Sequence, residues 1–364
     1  MAKKKKRNNK KMKLSTRIIL LMIAIFLIVI SYFYLNEKVD FMITNTNINN
    51  IMDKVNSNNE AKVKKYEEYN NCLNEKYNES DNTENFVKKI QETDEFLSKY
   101  RVSIGYENPD TGFVYKYNEG KKYYAASTIK MLDALYIYEN ASNGNLELTD
   151  TVTYQRKHLL GASVKMGKKK FGDKVKLKDL VNYAVIYSDN IAHLMLLDYI
   201  GISNLREYGH SLGAKYTLNS DYFGEITVDD SLAYLNALNA YLNTNSEEAN
   251  ELKSYFVNSE QNYLNFPDDN VEAVQKYGEY DGYYHENGIV YVEHPYLVSI
   301  LTTHTNNEKL IRSINSKILE LHNTFYEERT NRCNLILKQW FVIIVFYLLH
   351  NKYRHNYVII NNGE

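Results

Sequence analysis

The stretch "YYAASTIKML", residues 123–132, sets a serine and a lysine one helical turn apart at the start of a mostly apolar segment. A serine hydroxyl is a weak nucleophile at neutral pH; it needs a base within hydrogen-bond reach and donors for the oxyanion that develops. At positions i and i+3 of a helix, Ser127 and Lys130 face one side with roughly 5–6 Å between their Cβ atoms. A lysine taken out of water and set near another cation gives up its proton more readily and becomes a usable base. Backbone N–H groups at the start of a helix would add donors beside the serine. Alone, the pair reads equally well as a helix cap with an exposed lysine. Two further stretches bear on it: "YSDN", residues 187–190, with Ser188 and Asn190 at a break between apolar runs, and "QKYGEYDG", which supplies Lys276 and Gly278. Separately these are a capping turn and a surface lysine. Together, two lysines converging on two serines lower each other's proton affinity and make a positive pocket for an anionic substrate.

Such residues need a frame. "RVSIGYENPDTGFVYKYNEGKKYYAAS" alternates apolar positions on both sides of a Pro and Gly turn, and predicts a hairpin that delivers the chain to Ser127. "STIKMLDALYIYENASNGN" predicts a buried helix ended by "SNGN", and residues 145–260 read as mainly helical. "HENGIVYVEHPYLVSILTTHT" gives two more strands, with Lys276 and Gly278 just before that hairpin. "EKLIRSINSKILELHNTF" is an amphipathic helix with Leu310, Ile311, Ile314, Ile318, Leu321 and Phe325 on one side. Strands at both ends with helices between them imply an α/β body in which the last hairpin pairs with the first, and a site at the seam of sheet and helices.

With 364 residues, 44% of them hydrophobic, the chain can bury a full core. Its net charge of -1 hides an asymmetry: residues 1–17 hold nine Lys or Arg and no acid, leaving 35 bases against 45 acids elsewhere. An acidic body argues against nucleic acid as its partner. The basic head 1–17 runs into residues 18–35, which are apolar, uncharged and about long enough to span a bilayer, with no small-residue cleavage site after them. The expectation is a single-pass anchor in the cell membrane with the rest of the chain extracytoplasmic.

Residues 36–82 read as a polar stalk, 83–328 as the catalytic domain, and 329–364 as a tail without an assigned role, its apolar run 340–349 being too short to span alone. Phe86, Ile90, Phe96 and Leu97 sit near helical spacing and suit a first helix packed on the domain. Cys72 and Cys333 lack metal-like or redox-like neighbours, so the body is expected to rely on its core without a disulfide framework. Nine scattered histidines without an H-E-x-x-H pairing give no support for a metal site, and no cofactor is expected.

In the order S-x-x-K, S-D-N, K-x-G, these motifs resemble those of the penicillin-recognising serine hydrolases, closest to the class A β-lactamase group. The likeness runs over roughly residues 83–325. It implies a β-lactamase/transpeptidase-like α/β fold, with an antiparallel sheet of about five strands flanked by helices plus an all-helical subdomain. It also implies Ser127 as the acylated nucleophile, Lys130 as its proton acceptor, and Ser188 as the relay to the leaving nitrogen. Asn190 would bind the substrate amide, and Lys276 would hold a substrate carboxylate and tune Ser188. The oxyanion would lie between the backbone N–H groups of Ser127 and Glu279, next to Gly278. Two departures stand out. Tyr277 replaces the small hydroxyl residue that would touch the substrate carboxylate. The family's water-activating E-x-x-L-N segment is not visible between Asn190 and Lys276; Glu225, 37 residues beyond Ser188, is the one candidate for deacylation, although its flanks read as the start of the next helix. The first reading is therefore a hydrolase that opens β-lactam rings through a Ser127 acyl-enzyme, with slow deacylation left open. Its alternatives are a D-Ala-D-Ala carboxypeptidase or peptidoglycan acyl hydrolase acting on stem peptides, and a penicillin-binding sensor that does not turn over.

Overall fold

The hairpin read from "NPDTG" finds its partner almost two hundred residues later. In the computed structural model, which describes residues 69–264, 271–305 and 307–361 together with Glu67, the chain from Tyr69 onward is one compact unit. Helix α1 (Glu84–Leu97) starts at Thr83, whose hydroxyl accepts the Phe86 N–H. Strands β1 (Val102–Glu107) and β2 (Val114–Tyr117) follow, turned by Asn108, whose side-chain oxygen accepts from both the N–H and the hydroxyl of Thr111. Then come β3 (Tyr123–Tyr124), a 3-10 turn over Ala126–Ile129, and α2 (Lys130–Ser142). A ribbon of β4 (Thr151–Thr153) and β5 (Lys174–Lys176) leads into α3 (Leu177–Ile186), α4 (Asn190–Ile200) and α5 (Ile202–Ser211). After β6 (Glu225–Ile226) come α6 (Val228–Leu242), with Thr227 and Asp230 as a capping box, and α7 (Glu247–Val257). The chain closes with β7 (Glu272–Tyr280), β8 (Tyr283–Tyr291), β9 (Tyr296–Thr302) and the long helix α8 (Glu308–Asn361).

The main sheet runs β2-β1-β9-β8-β7, antiparallel throughout, with Ile104 opposite Ile300 and Lys276 opposite Asn287. The final and first hairpins therefore pair through β9 and β1, as the element pattern implied. "QKYG", which stands just before the final hairpin, lies in β7, the edge strand of the sheet.

Both faces of the sheet are covered, which is why β9 is buried at every position. On one face, α1 and α8 enclose an aromatic layer in which Phe113 stacks on Phe325 at 5.0 Å and meets Phe86 edge-on. Leu310, Ile311, Ile314, Ile318, Leu321 and Phe325 are all buried there, the face that their spacing marked. On the other face, α2–α7 form the helical subdomain around Leu132, Leu135, Leu180, Leu196 and Leu235. Gly105 lets α6 lie close on β1, since a Cβ there would stand 3.1 Å from the Leu232 side chain.

The boundaries differ from the sequence reading. Cys72 and Cys333 form a disulfide across a separation of 261 residues, so the expectation of a body without one is corrected. Buried Arg329 bonds the carboxylate of Asp81 and the carbonyl of Leu73, and Arg332 joins the same carboxylate. Residues 72–81, read as stalk, and 329–333, read as tail, thus pack with the body. Periodicity cannot reveal this, because the contacts join polar residues at opposite ends of the chain. The head 1–17, the anchor 18–35 and most of the stalk lie outside the described residues. Among the described residues no helix is long and apolar enough to cross a membrane, and the apolar run 340–349 belongs to α8.

Candidate active site

Three elements meet at the seam: the 3-10 turn with the start of α2, the break between α3 and α4, and the edge strand β7. Ala126 has φ +48°, a left-handed conformation uncommon outside glycine, and Ser127 follows it with 9% of its surface exposed. The turn runs straight into α2, so Lys130 lies beneath Ser127 and its Nζ stands 2.9 Å from Ser127 Oγ, within hydrogen-bond reach. At the second element Ser188 also holds a left-handed φ of +52°, and Asp189 caps α4 by accepting the Ala192 N–H. That turn aims Ser188 and Asn190 back at Lys130, whose Nζ reaches Ser188 O at 2.6 Å, Asn190 Oδ1 at 2.7 Å and Ser188 Oγ at 3.3 Å.

From β7, Lys276 donates to Ser188 Oγ at 3.1 Å and to the carbonyl of Tyr277 at 3.1 Å. Gly278 is the residue that allows β7 to approach: a Cβ there would lie 2.9 Å from Thr128 Cγ2 and 3.0 Å from Ala125 O. Both lysines are fully buried. Burial, with the Lys276 charge adding to it, holds Lys130 well below the ordinary lysine range. Burial brings Lys276 down to about 7, against the opposing pull of Glu286. The cluster is a serine, two amines whose basicity burial reduces, and a second serine linking them, the residue types that nucleophilic catalysis with a general base requires.

Comparison with known proteins bears on the family and the fold. The family described as the Beta-lactamase enzyme family matches residues 85–322. The chain belongs to that family. Among solved structures, a PBP-A variant held as an acyl-enzyme with penicillin G is similar at 15% identity and a TM-score of 0.58, over 65% of this chain and 97% of that one. A β-lactamase from Sphaerobacter thermophilus aligns at 18% identity and 0.55, over 65% and 95%. One from Burkholderia phymatum aligns at 15% and 0.57, over 66% and 99%. At such identities these neighbours establish a β-lactamase-like α/β fold. No curated protein matches the chain.

Within this β-lactamase-family domain, Ser127, Lys130, Ser188, Asn190, Lys276, Tyr277 and Gly278 converge, and Glu279 follows them on β7 with its side chain exposed. Glu225 does not join them through hydrogen bonds. It lies on β6 opposite Tyr124, and both its carboxylate oxygens accept from Lys122, at 3.1 and 3.0 Å.

Several supporting residues escaped the sequence reading. Asp189 is buried and its other oxygen accepts the N–H groups of Lys165 and Met166, fastening the segment whose Gly161 carbonyl accepts from Asn190 Nδ2 at 2.9 Å. The Phe223 ring lies 5.7 Å from Lys130 Nζ. Its loop is held by His193, which bonds Tyr222 O at 2.8 Å through Nε2 and the buried Asp133 carboxylate through Nδ1. His285 donates from Nε2 to Tyr124 O and accepts the Thr302 N–H at Nδ1, a neutral arrangement in keeping with burial lowering it to about 4. It ties β3, and so the approach to Ser127, to the main sheet. Only Asp189 carried a signal, as the centre of S-D-N; the others are isolated residues whose neighbours are distant in sequence.

Proposed function

We propose that this β-lactamase-family serine hydrolase reacts with β-lactams through an acyl-enzyme on Ser127, with Lys130 as the base. The observation that carries this reading is the acceptor set around Lys130 Nζ. A neutral amine has two N–H groups and one lone pair. The Ser188 carbonyl at 2.6 Å and Asn190 Oδ1 at 2.7 Å take the two N–H groups, and the lone pair is left for the Ser127 hydroxyl at 2.9 Å. Asn190 is oriented for this because its Nδ2 is committed to Gly161 O.

Ser127 Oγ attacks the lactam carbonyl and its proton passes to Lys130. The C–N bond then breaks, with Ser188, within reach of both lysines, delivering the proton to the nitrogen. The backbone N–H groups of Ser127 and Glu279 are the proposed oxyanion donors. Deacylation is proposed to be slow. Among the described residues no carboxylate is hydrogen-bonded to Ser127, Lys130 or Lys276, and Glu225 is engaged by Lys122. Residues 18–35 keep their reading as an anchor on sequence grounds, and protease accessibility in intact cells tests it.

The test is intact-mass measurement of the full chain mixed with a panel of β-lactams, following both adduct and hydrolysed product. The wild type should carry one adduct that outlasts its formation, Ser127→Ala none, and Lys130→Ala should form it about 10²–10⁴ times more slowly. Glu225→Gln should leave adduct lifetime unchanged; a longer lifetime would restore Glu225 as the water activator. Equal labelling of wild type and Ser127→Ala would overturn the proposal.

A further inference from the structure

The geometry points to Tyr277 as a specificity-determining cap on Lys276, which makes this site select acyl donors that are neutral beside the scissile bond over those bearing a carboxylate there. This rests on the acyl-enzyme reading of Ser127 and changes the task that the family resemblance implies for Lys276.

Lys276 exposes no surface, so an anion cannot reach it in this conformation. Its ammonium has three N–H groups. One donates to Ser188 Oγ and one to Tyr277 O, both at 3.1 Å, while the nitrogen sits 3.9 Å from the centre of the Tyr277 ring. Tyr277 is partly exposed and so faces the solvent that Lys276 does not. A second feature acts on the same charge. Glu286, opposite Tyr277 in the β7–β8 ladder, is fully buried, and neither of its carboxylate oxygens has a hydrogen-bond partner. Burial pushes Glu286 well up, and Lys276 is the largest influence pulling it back. An ionised Glu286 offsets part of the Lys276 charge and so weakens the field that a substrate anion would feel.

In place of an open cation, the mouth of the site offers aromatic surface. Tyr124 lies 5.2 Å from Tyr280 and 6.1 Å from Phe223, with Tyr280 60% exposed. That rim suits a flat apolar group on the acyl donor.

A matched pair of probes isolates the carboxylate: benzylpenicillin and its methyl ester, each added to the full chain, with the rate of adduct formation on Ser127 read by mass spectrometry. The wild type is expected to react with the ester at least as fast as with the acid. Tyr277→Thr, which opens the way to Lys276, should shift the acid-to-ester ratio toward the acid by about tenfold or more, the worth of a charge-assisted hydrogen bond. Tyr277→Phe keeps the ring and should keep the wild-type ratio, which separates capping from a general loss of structure. If the wild type favours the acid by about tenfold, or Tyr277→Thr leaves the ratio unchanged, the inference falls while the acyl-enzyme reading stands. If neither probe labels Ser127 in any of the proteins, both fall.

Discussion

Replacing Lys276 with methionine should silence the site and make the protein more stable. The amine is fully buried, and burial lowers it from 10.5 to about 7. Each pH unit in that interval is worth about 1.4 kcal/mol, so carrying the charge inside the fold costs about 4–5 kcal/mol below pH 7. Methionine has a similar length and none of that cost. It also lacks the hydrogen bonds to Ser188 Oγ and Tyr277 O, worth about 1 kcal/mol each, which leaves a net gain of about 2–3 kcal/mol at pH 6. The sign follows from proton counting. Between pH 7 and 10.5 the unfolded chain holds the Lys276 proton and the folded one does not, so this group's contribution to wild-type stability rises with pH. The advantage of Lys276→Met should therefore be largest below pH 7, shrink as pH rises, and vanish near about pH 9. Guanidinium unfolding of both full-length proteins at pH 6, 7.5 and 9 measures it. Other titrating groups are present in both proteins, so the difference between them reads Lys276 together with the two groups its charge acts on, Lys130 and Glu286. A variant less stable than wild type at pH 6, or a difference that does not change with pH, would refute the account of a desolvated amine. Lys130 should respond as well, since the Lys276 charge contributes to its depression and its removal lets Lys130 rise.

Two further outcomes test the frame around the site. Cys333→Ser, or reduction, opens a loop closed across a sequence separation of 261 residues and should cost about 2–5 kcal/mol, read as a lower denaturant midpoint; an unchanged midpoint would mean that the bond constrains nothing. Gly278→Ala puts a methyl group 2.9 Å from Thr128 Cγ2 and 3.0 Å from Ala125 O, so it should destabilise by about 1–3 kcal/mol and slow Ser127 acylation. Adding Thr128→Ser, which removes Cγ2, should recover part of the loss; no recovery would place the fault elsewhere.

Much of the frame could be read along the chain because its causes are local. Alternation around "NPDTG" is a two-residue repeat, the unbroken apolar run in "GIVYV" suits a strand covered on both faces, and the buried stripe from Leu310 to Phe325 is a helical repeat. The candidate site residues were legible for another reason: Ser127 with Lys130, and Ser188 with Asn190, sit at spacings that a turn converts directly into proximity. What the chain alone left open depends on pairs distant in sequence. Nothing near Cys72 or Cys333 marks the two as partners, and Arg329 gives no sign that its charge is spent on Asp81. Tyr277 could be read as the loss of a hydroxyl, but not as a ring lying over Lys276. Glu286 reads as an ordinary strand residue until β7 and β8 come into register, set it opposite Tyr277 and leave its buried carboxylate without a hydrogen-bond partner. Residue type and spacing singled out Ser127 and Lys130 as the candidate nucleophile and base. Burial, register and which side chain covers which charge decided how basic the two lysines are and what Lys276 can receive, because desolvation and field strength belong to the folded surroundings and not to the residue.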